Sequence, residues 1–69
     1  MIRSVAIIGT GLMGGSLALA LRNAQPDLDI IGVDQPGILE IALSRGIITS
    51  SRERAEEAAS IADVVVLAA

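Results

Sequence analysis

At 69 residues, 52% of them apolar and none aromatic, cysteine or histidine, the chain has room for one small domain packed from Ile, Val, Leu and Ala; disulfide and zinc staples are excluded. Five arginines, no lysine and a net charge of −3 argue against nucleic acid or an anionic membrane as partner, since both require clustered positive charge. A core of this size supplies only about 3–5 kcal/mol, so the apolar excess is expected to face further protein and the chain to be part of something larger.

In chain order, a first strand is expected at about Arg3 to Ile8. Its run Val5-Ala6-Ile7-Ile8 has no polar alternation, as in a parallel-sheet strand covered on both faces. Gly9, Gly11 and Gly14 follow at G-x-G-x-x-G spacing. Gly9 permits a tight turn off the strand, Gly11 lets the backbone come against a pyrophosphate, and Gly14 lets the next helix lie close to the sheet. That helix, Leu12 to Asn23, points its free amides and positive dipole end into the gap, so a diphosphate needs no Lys or Arg there. A tight strand-to-helix turn with glycines chosen only for packing has the same spacing. Along the helix, Gly14, Ala18 and Leu21 should meet the sheet, with Met13, Leu17 and Ala20 as a neighbouring stripe. Its outer side is expected to meet a second domain or subunit.

Asn23, Gln25 and Pro26 end the helix, and a second strand runs from Ile30 to Asp34. Asp34 stands twenty residues beyond Gly14 on that strand's tip, where an acid binds the adenosine ribose hydroxyls of NAD. Pro36 suits the first position of a second helix, so Asp34 or Gln35 also reads as that helix's N-cap. With no Arg or Lys nearby to pair with a 2′-phosphate, NAD is expected rather than NADP.

The second helix, Pro36 to Arg45, is expected to turn Ile38, Ile41, Ala42 and Leu43 inward and to stop at Gly46. Ile47 to Thr49 form a stub of a third strand. Ser50 and Glu53 have capping-box spacing and open a third helix reaching Ile61, with Arg52 and Glu56 paired on its wet side and Ala55, Ala58, Ala59 and Ala62 inside. After a turn at Asp63, Val64 to Ala68 make a fourth strand. Right-handed crossovers give the order 3-2-1-4, the N-terminal half of an α/β Rossmann-type parallel sheet with a bare fourth-strand edge. No apolar run approaches the ~20 residues of a bilayer span. Glycines also interrupt the stretch before Ala18-Leu19-Ala20 that looks like a secretory cleavage site, so the default expectation is a cytoplasmic protein.

The strings GTGLMGGSLALAL, IIGVD, GIIT and DVVVLAA resemble the N-terminal region of the prephenate and arogenate dehydrogenases of tyrosine biosynthesis, and the resemblance covers the whole chain. Gly14-Gly15-Ser16-Leu17-Ala18 is its most specific part; hydroxyisobutyrate-type dehydrogenases share Gly-Leu-x-Met-Gly but usually lack the Gly-Ser-Leu continuation. The resemblance implies an enzyme that moves hydride from the prephenate ring to NAD with loss of carbon dioxide, forming 4-hydroxyphenylpyruvate. It also implies that Gly9, Gly11, Leu12, Met13 and Gly14 line the pyrophosphate, that Asp34 binds ribose, and that Ala68 and Ala69 enter the wall of the cofactor cleft. In that family the catalytic His, its hydroxyl-bearing partner and the arginines for the substrate carboxylates lie beyond the last residue here. No catalytic residue or metal ligand is therefore assigned, and the 69 residues are expected to be inert by themselves. The small-molecule substrate and the pairing of subunits into a homodimer would belong to a further, helical domain. Two alternatives stay open: a β-hydroxyacid-type NAD(P) dehydrogenase, and a non-catalytic nucleotide-sensing module.

Overall fold

The computed structural model describes residues 1–9 and 11–68, with Leu12 and Met13 described in backbone only. Seven elements alternate along the chain: β1 (Ser4–Ile8), α1 (Leu12–Ala24), β2 (Asp29–Val33), α2 (Pro36–Ser44), β3 (Ser50–Ser51), α3 (Ala55–Ile61) and β4 (Val64–Leu67). All strand pairs are parallel, and the sheet order is β3-β2-β1-β4, as right-handed crossovers require. The central strand is covered on both faces: Val5, Ala6 and Ile7 are all buried, which is why β1 reads as a continuous apolar run.

Successive residues of β1 and β2 serve opposite faces. Val5, Ile7 and Ile30 pack with Ala18 of α1, Leu39 and Ala42 of α2, and the loop residues Leu28 and Ile48. On the other face Ala6, Ile31 and Val33 pack with Ala58 of α3, flanked by Ile8 and Ala62. In β4, Val64 and Val66 join the first of these cores, while Val65 and Leu67 are exposed on the α3 side. The expected inner stripe of α1 is borne out, with Gly14 and Ala18 buried and Leu21 half-buried. Its outer residues Leu19 and Ala20 are exposed. Among the described residues no helix is long and apolar enough to cross a membrane.

The second half of the chain departs from expectation in five places. Leu39 and Ala42 are the buried residues of α2, whereas Ile41 is 54% and Leu43 is 41% exposed. With apolar residues at 38, 39, 41, 42 and 43, this short helix has more than one apolar face, and the position of the sheet selects between them. β3 consists of Ser50 and Ser51 and not of Ile47 to Thr49. Ile48 instead drops into the core, and Thr49 brackets the edge of β2: its hydroxyl accepts the Ile30 N–H at 2.9 Å and lies 3.1 Å from the Ile30 carbonyl. Because Ser50 is thereby a strand residue, no capping box forms; α3 starts at Ala55 with Arg54 as N-cap and no side-chain capping bond. The ion pair on α3 joins Arg54 to Glu56 at 3.1 Å, not Arg52 to Glu56, and Ala59 faces solvent while Ala58 is buried.

Candidate cofactor cleft

The glycine turn lies between the ends of β2 and β4. The Gly9 N–H donates to the Val33 carbonyl at 2.7 Å, and the Ala68 N–H donates to the Ile8 carbonyl at 2.9 Å. Both neighbours of β1 are thus tied to the residues at which the chain leaves it. In the order β3-β2-β1-β4, the gap between β1 and β4 is where the chain reverses its direction of travel across the sheet, the place where open parallel sheets hold ligands.

Each motif glycine has its own physical reason. Gly9 has φ of 88°, a left-handed conformation that strains any residue with a side chain. Gly14 is buried, and a Cβ there would run into the Gly9 carbonyl and stand 3.2 Å from Cγ2 of Ile7; its missing side chain is what allows α1 to lie on the turn. Gly11 has neither reason. Its φ is −63°, and a Cβ would meet nothing within 4 Å, so the open space it leaves is directed outward. Gly37, in the first turn of α2, is likewise open.

Gly11 is also the N-cap of α1, which has no side-chain capping bond and no acid in its first turn. The first helical hydrogen bond, from the Gly15 N–H to the Gly11 carbonyl, is 2.8 Å long. The amides ahead of it have no intrahelical acceptor, and together with the helix dipole they favour an anion at this end. Among the described residues, the first turn of α1 holds no acidic residue and its N-cap makes no side-chain bond.

Asp34 follows β2 directly and is half-buried. Its Oδ1 accepts the Gln35 N–H at 2.7 Å, and Gln35, not Asp34, is the N-cap of α2. Asp34 opens onto a cleft of about 680 Å³, walled also by Pro36, Leu39, Glu40, Leu43, Ser51, Arg52 and Glu53. Here the fold corrects the reading of the linear chain. Arg52 lies eighteen positions from Asp34, yet parallel pairing of Gly32 with Ser51 sets it beside the end of β2, so a cation does stand in the neighbourhood of Asp34. Local motif reading misses it, because the two residues come together only through the pairing of β2 with β3. The side chains of Leu12 and Met13, and all of Ala69, lie outside the described residues, while Ala68 is half-buried next to the turn.

Comparison with known proteins places this geometry. A profile of the family described as NADP oxidoreductase coenzyme F420-dependent matches residues 4–69. A prephenate dehydrogenase from Lactococcus lactis subsp. cremoris (strain MG1363) is 41% identical over 66 residues, which are 96% of this chain and 18% of that protein. The crystal structure of a prephenate dehydrogenase from A. aeolicus, in complex with hydroxyphenyl propionate and NAD+, superposes with a TM-score of 0.86 at 32% identity, over 97% of this chain and 24% of that one. The chain therefore spans less than a quarter of the length of either relative.

Proposed function

The chain belongs to the NADP oxidoreductase coenzyme F420-dependent family, and from its likeness to two prephenate dehydrogenases we propose that it forms the NAD-binding part of a prephenate or arogenate dehydrogenase. The observation that carries the reading is Gly11. It is the one fingerprint glycine that neither backbone conformation nor internal packing requires, and it caps a helix end that favours an anion. A diphosphate resting on Gly11 and the first amides of α1 is held by backbone alone, which leaves no long cationic side chain to order. Asp34, at the tip of β2, accepts the hydroxyls of the adenosine ribose, and Ala68 forms part of the wall on the β4 side.

When bound, NAD supplies the hydride acceptor: prephenate gives up a hydride to the nicotinamide and loses carbon dioxide, leaving 4-hydroxyphenylpyruvate and NADH. The residues of this chain bind and orient; none of them transfers a proton. The substrate, homodimeric assembly, a cytoplasmic location and a place in tyrosine biosynthesis are properties proposed for the whole protein. The likeness to two prephenate dehydrogenases supports this reading over a β-hydroxyacid-type enzyme.

The test is hydride transfer by the intact polypeptide that carries this sequence, given NAD with prephenate or with arogenate. NADH and carbon dioxide should appear in equal amounts with one of the two substrates, and residues 1–69 alone should give neither. Absence of NADH with both substrates would refute the assignment, as would turnover by the 69 residues.

A further inference from the structure

Arg52 sits in the cleft where the proposed function puts the adenosine ribose, and no motif assigned it a role. Its main chain is fixed by the sheet. The Arg52 N–H donates to the Gly32 carbonyl at 3.0 Å, which continues the β2–β3 ladder by one residue, so its Cα lies about one strand spacing, roughly 5 Å, from the end of β2. The next residue of β2's path is Asp34. Nη1 of Arg52 donates to the Ser51 carbonyl at 2.8 Å, and among the described residues the guanidinium enters no ion pair. A guanidinium carries five N–H donors in a planar fork suited to phosphate, and one of them is used. The half-buried side chain borders the Asp34 cleft and also a polar cleft with Arg3, Ser4, Asp29 and Thr49. It therefore stands on the boundary between the two, with one hydrogen bond, to the Ser51 carbonyl, holding the guanidinium.

The charged residues lining the Asp34 cleft are Asp34, Glu40, Glu53 and Arg52. Three carboxylates against one guanidinium make a site that rejects an added phosphate dianion while accepting a pair of neutral hydroxyls. We infer that Arg52 is a specificity-determining residue of the cofactor site, a latent partner for the 2′-phosphate of NADP that the surrounding carboxylates, Asp34 first among them, hold silent. This rests on the cofactor reading of the cleft and goes beyond it. Discrimination between NAD and NADP is the balance of one cation against the acids around it, and neutralising Asp34 uncovers a phosphate site already present.

Titration of the intact polypeptide with NAD and with NADP, followed by calorimetry, tests this in the wild type and in D34N, D34N/R52Q and D34N/R52K. The wild type should bind NAD in preference to NADP. D34N should shift the NADP-to-NAD affinity ratio towards NADP by about tenfold or more, and D34N/R52Q should lose at least about fivefold of that gain, whereas D34N/R52K should keep most of it. A D34N/R52Q ratio equal to that of D34N, with NAD still bound and the circular dichroism unchanged, overturns the role of Arg52 and leaves the cofactor reading intact. A D34N variant with no gain in NADP affinity overturns it equally. A wild type that binds neither dinucleotide removes the cofactor reading and the inference together.

Discussion

Two glycines three residues apart make opposite demands on an added methyl group. At Gly14 a Cβ collides with the Gly9 carbonyl and crowds Ile7; backbone atoms cannot rotate away, so the helix or the turn must move. Gly14→Ala should cost about 1–3 kcal/mol or more, the range for overpacking a filled site, read as a lowered midpoint in chemical denaturation. At Gly11 the same methyl meets no protein atom. Gly11→Ala should cost no more than about 1 kcal/mol, the effect of a poorer N-cap residue, yet weaken NAD binding by about tenfold or more, because the methyl stands where the diphosphate rests. Stability and affinity measured side by side separate the two roles. A Gly11→Ala protein that binds NAD as well as wild type would show that the space is not used by the cofactor.

At the scale of elements, the turn before β4 is stitched to the start of β1. The exposed carboxylate of Asp63 accepts the N–H groups of Arg3 at 2.8 Å and Ser4 at 3.2 Å, while the Asp63 N–H reaches the Ser4 carbonyl at 3.1 Å and hydroxyl at 3.0 Å. The Arg3 amide first, then that of Ser4, holds the Asp63 carboxyl below its ordinary value of 3.8. A folded value below the unfolded one contributes stability that is present above the ordinary carboxylate range and is lost as the pH falls through the folded value. Asp63→Asn should therefore lower the melting temperature at neutral pH and converge with wild type in acid, where both lack the charge. Melting curves collected from neutral to acid pH read this directly; a constant difference at every pH would show that the stitch does not depend on ionisation.

For the whole molecule, the two faces of the sheet are unequally covered. The face under α1 and α2 gathers eight buried residues, and the face under α3 gathers four. On the α3 side Val65 is 40% and Leu67 is 78% exposed, and among the described residues β4 pairs with β1 alone. An apolar strand with one free edge is a template for pairing with another chain. Residues 1–69 expressed by themselves should associate increasingly with concentration, and Leu67→Lys should suppress that association, both read by sedimentation velocity. A 69-residue protein that stays monomeric at high concentration would show the edge to be protected.

The boundary between what the linear chain contained and what folding added runs near the middle of the sequence. Strand, glycine turn, helix and acid-tipped strand from Val5 to Asp34 were legible because each depends on local chemistry: an apolar run, a residue without Cβ where φ is 88°, a proline, a carboxylate at a fixed distance. The sheet order was legible too, since the handedness of parallel crossovers leaves little choice. The face of α2 that is buried, the start of β3 and the partner of Arg54 were not. A nine-residue helix apolar on several sides carries no unique stripe, and a two-residue strand has no period; the helix buries the side that the sheet covers, and the strand takes its register from β2, helped by contacts such as Thr49 with Ile30. The sharing of one cleft by Arg52 and Asp34 belongs to the same class. Strand pairing brings together residues that are distant in the chain, and only the tertiary structure decides which charges share a cleft.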